Sequence, residues 1–242
     1  MPDFVELWIY LSSTPLFGLT ATLLVYLLAN GIYERLGQHP LANPVLWSVI
    51  VLACGLIVLG VPYQTYFSGA QFIHFLLGPA VVALAWPLWV RRAELKLHVV
   101  RLVLAAVVGG AVASLSAVGL SFALGLPVDI TLSLVPKSVT APVAMGIAEK
   151  IGGQPALSAV FAVLTGLVGA LSGKYLFDWF RVPRDHKGWS ARGFALGTVS
   201  HGIGSARAIQ VNADAGAYAG LALGLQVILS ALLIPVVFRW IS

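Results

Sequence analysis

Charge is what this sequence has least of. Asp, Glu, Lys and Arg together make up 10% of the 242 residues, and 59% of the residues are hydrophobic. An ordinary soluble domain carries about 25% charged residues. A soluble fold of this size has no way to hide so much apolar surface. A soluble globular domain is therefore excluded, and an integral membrane protein is implied. Cysteine is nearly missing as well: Cys54 is the only one, which excludes an intrachain disulfide and a cysteine metal cluster. Long basic runs are missing too. The net charge of +5 comes from cations scattered between apolar stretches, where the positive-inside rule places them, so nucleic-acid binding is not expected. Met1-Pro2-Asp3 and Glu6 provide no basic n-region, so the first apolar stretch is expected to stay in the mature chain.

Chemistry-bearing clusters are equally scarce. No two histidines or carboxylates stand at ligand spacing in a shared segment, so a metal site is not expected. Gly202-Ile203-Gly204 has no strand before it and is too short for a phosphate loop. Ser200-His201 has no acid nearby to complete a hydrolase triad. Neither a cofactor nor an enzymatic activity is expected.

What the chain does contain is a succession of apolar stretches, over residues 4–32, 43–61, 70–90, 97–124, 128–148, 156–180, 194–211 and 216–241. A bilayer-spanning helix takes roughly 20 apolar residues, which makes this an all-α polytopic membrane protein of about seven to eight transmembrane or re-entrant segments. Four stretches carry breaks, at residues 12–15, at Gly78-Pro79, between Pro136 and Pro142, and at residues 200–204. Proline and glycine free backbone groups there, and lipid tolerates such groups only inside protein or beside a water-filled cavity.

Two halves of the chain are similar to each other. Ala29-Asn30-Gly31-Ile32-Tyr33-Glu34-Arg35-Leu36-Gly37 matches Ala144-Met145-Gly146-Ile147-Ala148-Glu149-Lys150-Ile151-Gly152 in Ala, Gly, Ile, Glu and Gly. Nine of the 14 basic residues fall in two clusters, Arg91, Arg92, Lys96 and Arg101, then Lys174, Arg181, Arg184, Lys187 and Arg192. If both clusters are cytoplasmic, residues 128–153 must enter and leave on the same outer side, as a re-entrant hairpin folded at Pro136–Pro142. Glu34 and Glu149 then lie on opposite faces. Repeats of inverted topology follow, one over about 1–126 and one over about 127–242, with a substrate site near midplane where broken helices meet.

Polar groups at membrane depth are costly and therefore informative. Lys137, beside Ser138 and Thr140, suits a small anion: a charge-assisted bond from the ammonium, hydroxyl bonds, and the positive end of a helix beginning near Ala141. A lysine snorkelling from a shallow loop is the plainer account. Ser200, His201, Gly202, Gly204 and Arg207 make up the second polar break: the glycines allow close backbone approach, and Arg207 can grip a carboxylate with two donors. His201 is also a candidate proton carrier, although a structural histidine serves as well. Glu34 and Glu149 are read either as coupling or gating groups or as ordinary helix-end charges.

The run Val135-Pro136-Lys137-Ser138-Val139-Thr140-Ala141-Pro142, continuing to Gly152-Gly153, and the run Ser200-His201-Gly202-Ile203-Gly204-Ser205-Ala206-Arg207 resemble the signature segments of the LrgB/CidB family. Gly78-Pro79-Ala80 after Tyr66-Phe67 is similar as well, and the resemblance covers essentially the whole chain. It implies two roles. Bacterial members are antiholin-like proteins that modulate murein hydrolase export and cell lysis with a small LrgA/CidA-like membrane partner. Plant members are plastidal glycolate/glycerate translocators, and some bacterial relatives are linked to pyruvate transport. In the plant proteins the two parts are fused and this chain matches the second, so a partner is expected to be a separate polypeptide. Inverted repeats with two polar breaks favour a transporter of small monocarboxylates by alternating access, with the antiholin-like regulator as the alternative. A homodimer in the bacterial inner membrane is expected.

Overall fold

The computed structural model describes residues 15–76, 79, 89 and 92–241. Among these, all regular structure is helical. The chain divides into two compact units, residues 1–83 and 84–242. Gly78 lies outside the described residues, as does the interruption expected at residues 12–14.

In the first unit, α1 (Pro15–Arg35) is followed by a 3-10 turn (Pro40–Ala42), α2 (Pro44–Val58) and α3 (Tyr63–Phe75). Asn43 starts α2: its Oδ1 accepts from the amides of Val45 at 2.9 Å and Leu46 at 3.1 Å, and Pro44 sits in the first turn, where no amide is needed. Helix α1 packs on α3 through a 2.8 Å hydrogen bond between the Thr22 and Tyr66 hydroxyls. Gly18 lies against the Tyr66 carbonyl, where a β-carbon would not fit.

The second unit contains α4 (Arg92–Ala123), α5 (Val128–Leu134), α6 (Ala141–Ile151), α7 (Pro155–Trp179), α8 (His186–Val211) and α9 (Ala213–Ile241). Among the described residues, four helices are long and apolar enough to cross a membrane, over Leu16–Arg35, Lys96–Ala123, Pro155–Trp179 and Ala213–Trp240. Large apolar side chains on them face outward, with Leu115 69% and Val168 63% exposed. Lipid is the solvent that makes such a surface favourable. The protein is an all-α membrane protein.

Helices α5 and α6 are too short to span. Their 7 and 11 residues rise about 10 and 16 Å, against about 30 Å of hydrocarbon. They form a hairpin whose ends meet. The Gln154 amide donates to Ser133 Oγ at 2.7 Å, and Gln154 Nε2 donates to Asp129 Oδ2 at 2.6 Å. Gly152, at φ 87°, ends α6 in the left-handed conformation that glycine adopts without a steric penalty.

Helix α8 departs further from expectation. It begins at His186, eight residues before the expected stretch over 194–211, and it is not one rod. His201 has φ 40° and ψ −131°, and there the chain reverses. A β-carbon on Gly204 would lie 2.8 Å from the Leu196 carbonyl oxygen; in a straight helix eight residues separate two such groups by about 12 Å. His186 Nδ1 lies 2.8 Å from Asp214 Oδ2, so the first residue of α8 stands beside the start of α9. Residues 186–200 and 202–211 are thus the two arms of a second hairpin, with His201 at its tip.

The reversal also corrects the reading of Arg192 as a loop cation that sets topology. Arg192 is buried. Its Nη2 donates to Asp178 Oδ1 at 3.0 Å and to the Val182 carbonyl, and its guanidinium lies over the rings of Phe177 and Trp189. Asp178 also accepts from Arg184 Nη2 at 2.9 Å. The two hairpins therefore open at opposite ends of α7: one closes at Gln154, just before Pro155, and the other starts beside Asp178.

Candidate functional site

The tips of the two hairpins meet beside the middle of α7. Val139, from the first tip, packs with Ala144 and Ile147 against Ala162. The carbonyl of the same Ala162 accepts from His201 Nε2 at 2.7 Å, which assigns the proton to that nitrogen. Ser200 Oγ fits against Gly169, and the His201 imidazole lies over Gly166; a β-carbon at either glycine would collide with these groups. Ala162 is about 10 Å from the start of α7 and Gly169 about 15 Å from its end. A second ruler agrees. Ser114 Oγ donates to the Val135 carbonyl at 2.8 Å, and Ser114 is about 14 Å from the end of α4. The first tip thus reaches about half the depth of a bilayer core.

A cavity of about 580 Å³ lies at this crossing, and Lys137, Thr165, Ser172 and Ser200 are its polar lining residues among apolar ones. Lys137 is half-buried and has no carboxylate partner among the described residues. Ser200 is 1% exposed and Ser138 4%, and neither hydroxyl has a hydrogen-bond partner among the described residues. Thr140 caps α6 with extended backbone and makes no side-chain capping bond, so the first amides of α6 remain available at the tip. Among the described residues, Lys137 as the one charged lining residue and the unpaired Ser200 hydroxyl, with no carboxylate in the lining, give the cavity a positive character at low dielectric, and the N-terminus of α6 lies on the same tip as Lys137.

The structure unites only part of the expected site. Lys137 and Ser200 share the cavity, with Ser138 and Thr140 on the same tip. His201 is buried at the break, and its ring is committed to the Ala162 carbonyl. Gly204 makes the close approach that was read into both glycines, whereas a β-carbon at Gly202 meets nothing within 4 Å. Arg207 does not line the cavity; it is half-buried on the return arm, about 9 Å past the tip. Pro136 is fully buried, while Pro142 is exposed in the first turn of α6. Glu34 is exposed in the last turn of α1 and accepts from Asn30 Nδ2 at 3.0 Å. Glu149 is exposed in α6, and the two glutamates belong to different units. Thr165 and Ser172 were missed. Their signal is a row of hydroxyls and glycines, Thr165, Gly169, Ser172 and Gly173, along one face of an otherwise apolar helix.

The model of the LrgB-like family matches residues 22–240, which include both hairpins. This chain belongs to the LrgB-like family. Among its relatives is the uncharacterized protein YwbG of Bacillus subtilis, 35% identical over 90% of this chain and 95% of the relative. YxaC of the same organism is 33% identical over 89% and 92%. The holin-like protein CidB of Staphylococcus aureus is 29% identical over 89% and 92%. No solved structure matches the chain. Of the two roles expected for an LrgB-like protein, the name of that relative, holin-like protein, agrees with the lysis-related one better than with monocarboxylate transport.

Proposed function

We propose that this LrgB-like protein is an antiholin-like regulator of murein hydrolase export and cell lysis, acting with a small LrgA/CidA-like membrane protein. Its likeness to the holin-like protein CidB over nearly the whole length of both chains carries this reading. The protein acts without catalysis, as a multi-pass protein of the bacterial inner membrane and as a homodimer.

One observation favours a second reading, secondary transport of small monocarboxylates such as glycolate, glycerate or pyruvate. It is the cavity at the crossing of the two hairpins, where Ser200 Oγ has no hydrogen-bond partner and Lys137 no carboxylate partner among the described residues. In this reading residues 1–126 and 127–242 are repeats of opposite orientation, and the hairpins open alternately to either side. The end of α7 near Asp178 is cytoplasmic.

Reconstitution separates the readings. In proteoliposomes of the purified protein, saturable uptake of labelled glycolate, glycerate or pyruvate that Lys137→Met abolishes supports transport. In the same vesicles loaded with a fluorescent dye, an LrgA/CidA-like protein should leak dye at a rate this protein changes if it is a regulator. Leakage unaffected by this protein over a range of ratios defeats the regulatory reading. No uptake of any of the three acids by well-folded protein defeats the transport reading.

A further inference from the structure

Arg101 is a cation that neither functional reading uses. It is exposed on α4, and the ion pairs among the described residues involve Arg184, His186 and Arg192 instead. It lies on a groove of about 500 Å³ between α4, α8 and α9, and it is the one charged residue among the described lining. Arg101, Ala105 and Gly109 form one wall by helical turns, and Ser190, Phe194 and Thr198 form the other. A β-carbon on Gly109 would come within 3.0 Å of Thr198 Cγ2, which sets the register. Arg101 and Ser190 each precede that contact by eight residues, so α4 and the first arm of α8 run side by side in the same direction. One turn further out, on the same two faces, stand His98 and Lys187, both exposed. The basic groups therefore collect at one end of the groove.

From that end to Gly109 the groove runs about 12 Å, and it offers little to a polar occupant. Ser190 Oγ donates to the His186 carbonyl at 2.8 Å and Thr198 Oγ1 to the Phe194 carbonyl at 2.9 Å, while Tyr218 is buried in a cluster with Ala106, Phe194 and Ala222. Depth divides the groove in the same way. The apolar span Lys96–Ala123 has 28 residues and rises about 42 Å, against about 30 Å of hydrocarbon. Centred in a bilayer, it extends about 6 Å beyond the hydrocarbon at each end, and Arg101, about 8 Å from Lys96, stands at the boundary with the headgroups. The apolar length suits an acyl chain and the basic end suits a phosphate. A zwitterionic headgroup brings its own cation to the same place, where Arg101 and Lys187 repel it; an anionic headgroup does not. A free anion would leave the apolar length empty.

We infer that this groove binds an anionic phospholipid, with the phosphate on Arg101 and one acyl chain between α4 and α8. The inference is independent of both functional readings. It is tested on the full chain in phosphatidylcholine liposomes with a phosphatidylglycerol probe that carries a diazirine on its acyl chain, the adducts being mapped by mass spectrometry. Adducts are expected to concentrate on α4 and α8 residues around Ala105 and Ala195. Unlabelled phosphatidylglycerol should displace the probe at about 25-fold lower mole fraction than phosphatidylcholine with the same chains, the worth of two cations near the surface. Arg101→Gln should reduce that difference to about fivefold. Lys174→Gln, which removes an exposed cation of α7 that lines no part of the groove, should leave it unchanged. Glycerol 3-phosphate, a headgroup without chains, should not displace the probe. Equal displacement by the two lipids in the unsubstituted protein overturns the inference without recourse to any variant. Adducts spread over all helices, displacement by glycerol 3-phosphate, or an equal loss in Lys174→Gln and Arg101→Gln overturn it as well.

Discussion

Ser200 shows how a residue can be worth little to stability and much to a site. Its hydroxyl is buried without a partner among the described residues, so its removal forfeits no hydrogen bond and relieves a desolvated group. Ser200→Ala should leave the unfolding midpoint of the detergent-solubilised protein unchanged or slightly raised. If the transport reading holds, the same substitution lowers uptake. A clear loss of stability would show that the hydroxyl is engaged after all. The glycines beside it divide in the same way. Gly204→Ala drives a methyl into the Leu196 carbonyl and the Ser200 side chain, an overpacking that costs about 1–3 kcal/mol. Gly202→Ala meets open space and should be tolerated within about 0.5 kcal/mol. Thermal unfolding of the two variants side by side checks the ordering. Both glycines look alike in the sequence, because nothing local says which backbone will lie opposite.

The two hairpins are the elements that build the site, and their bases can be tested directly. In a Cys54→Ala background, cysteine pairs at 129 and 154 and at 186 and 214 should both join under a short bis-thiol reagent, since hydrogen bonds link these residues at 2.6 and 2.8 Å. A continuous α8 would hold residues 186 and 211 about 38 Å apart, so failure of the 186–214 pair would restore the rod and remove the second tip. The interlock at the end of α7 also gives a direction. Asp178→Ala strands the buried Arg192 guanidinium among Phe177 and Trp189, whereas Arg192→Met removes the charge and keeps apolar packing. The aspartate substitution should lower the melting temperature more than the arginine one. The first hairpin was legible because Pro136 and Pro142 bracket its tip and interrupt the helix there. The second was legible only as a break. A reversal at a non-glycine residue with φ 40° is held by packing on α7 and α9, and no local preference announces it.

At the scale of the whole molecule, the hairpins open at opposite ends of a helix long enough to span, and if that helix crosses the bilayer their bases face opposite sides. Single cysteines introduced at Gln154 and at Lys187 should react with a membrane-impermeant maleimide from opposite faces, one in intact cells and the other in inverted vesicles. Labelling of both from the same side would refute α7 as the crossing that separates them. Composition by itself determined the membrane setting and the helical class, because an apolar surface of this size has no favourable place in water and lipid admits helices whose backbone is satisfied internally. Local sequence also marked two of the interruptions, between Pro136 and Pro142 and at residues 200–204, since proline and glycine act on the backbone that carries them. The tertiary structure decided the rest. It selected Lys137 and Ser200 as neighbours across 63 residues, turned Arg192 from a surface cation into a buried one, and kept Arg207 out of the cavity. Each of these depends on which elements fold back onto α7 and α9, and burial is a property of neighbours that distance along the chain does not specify.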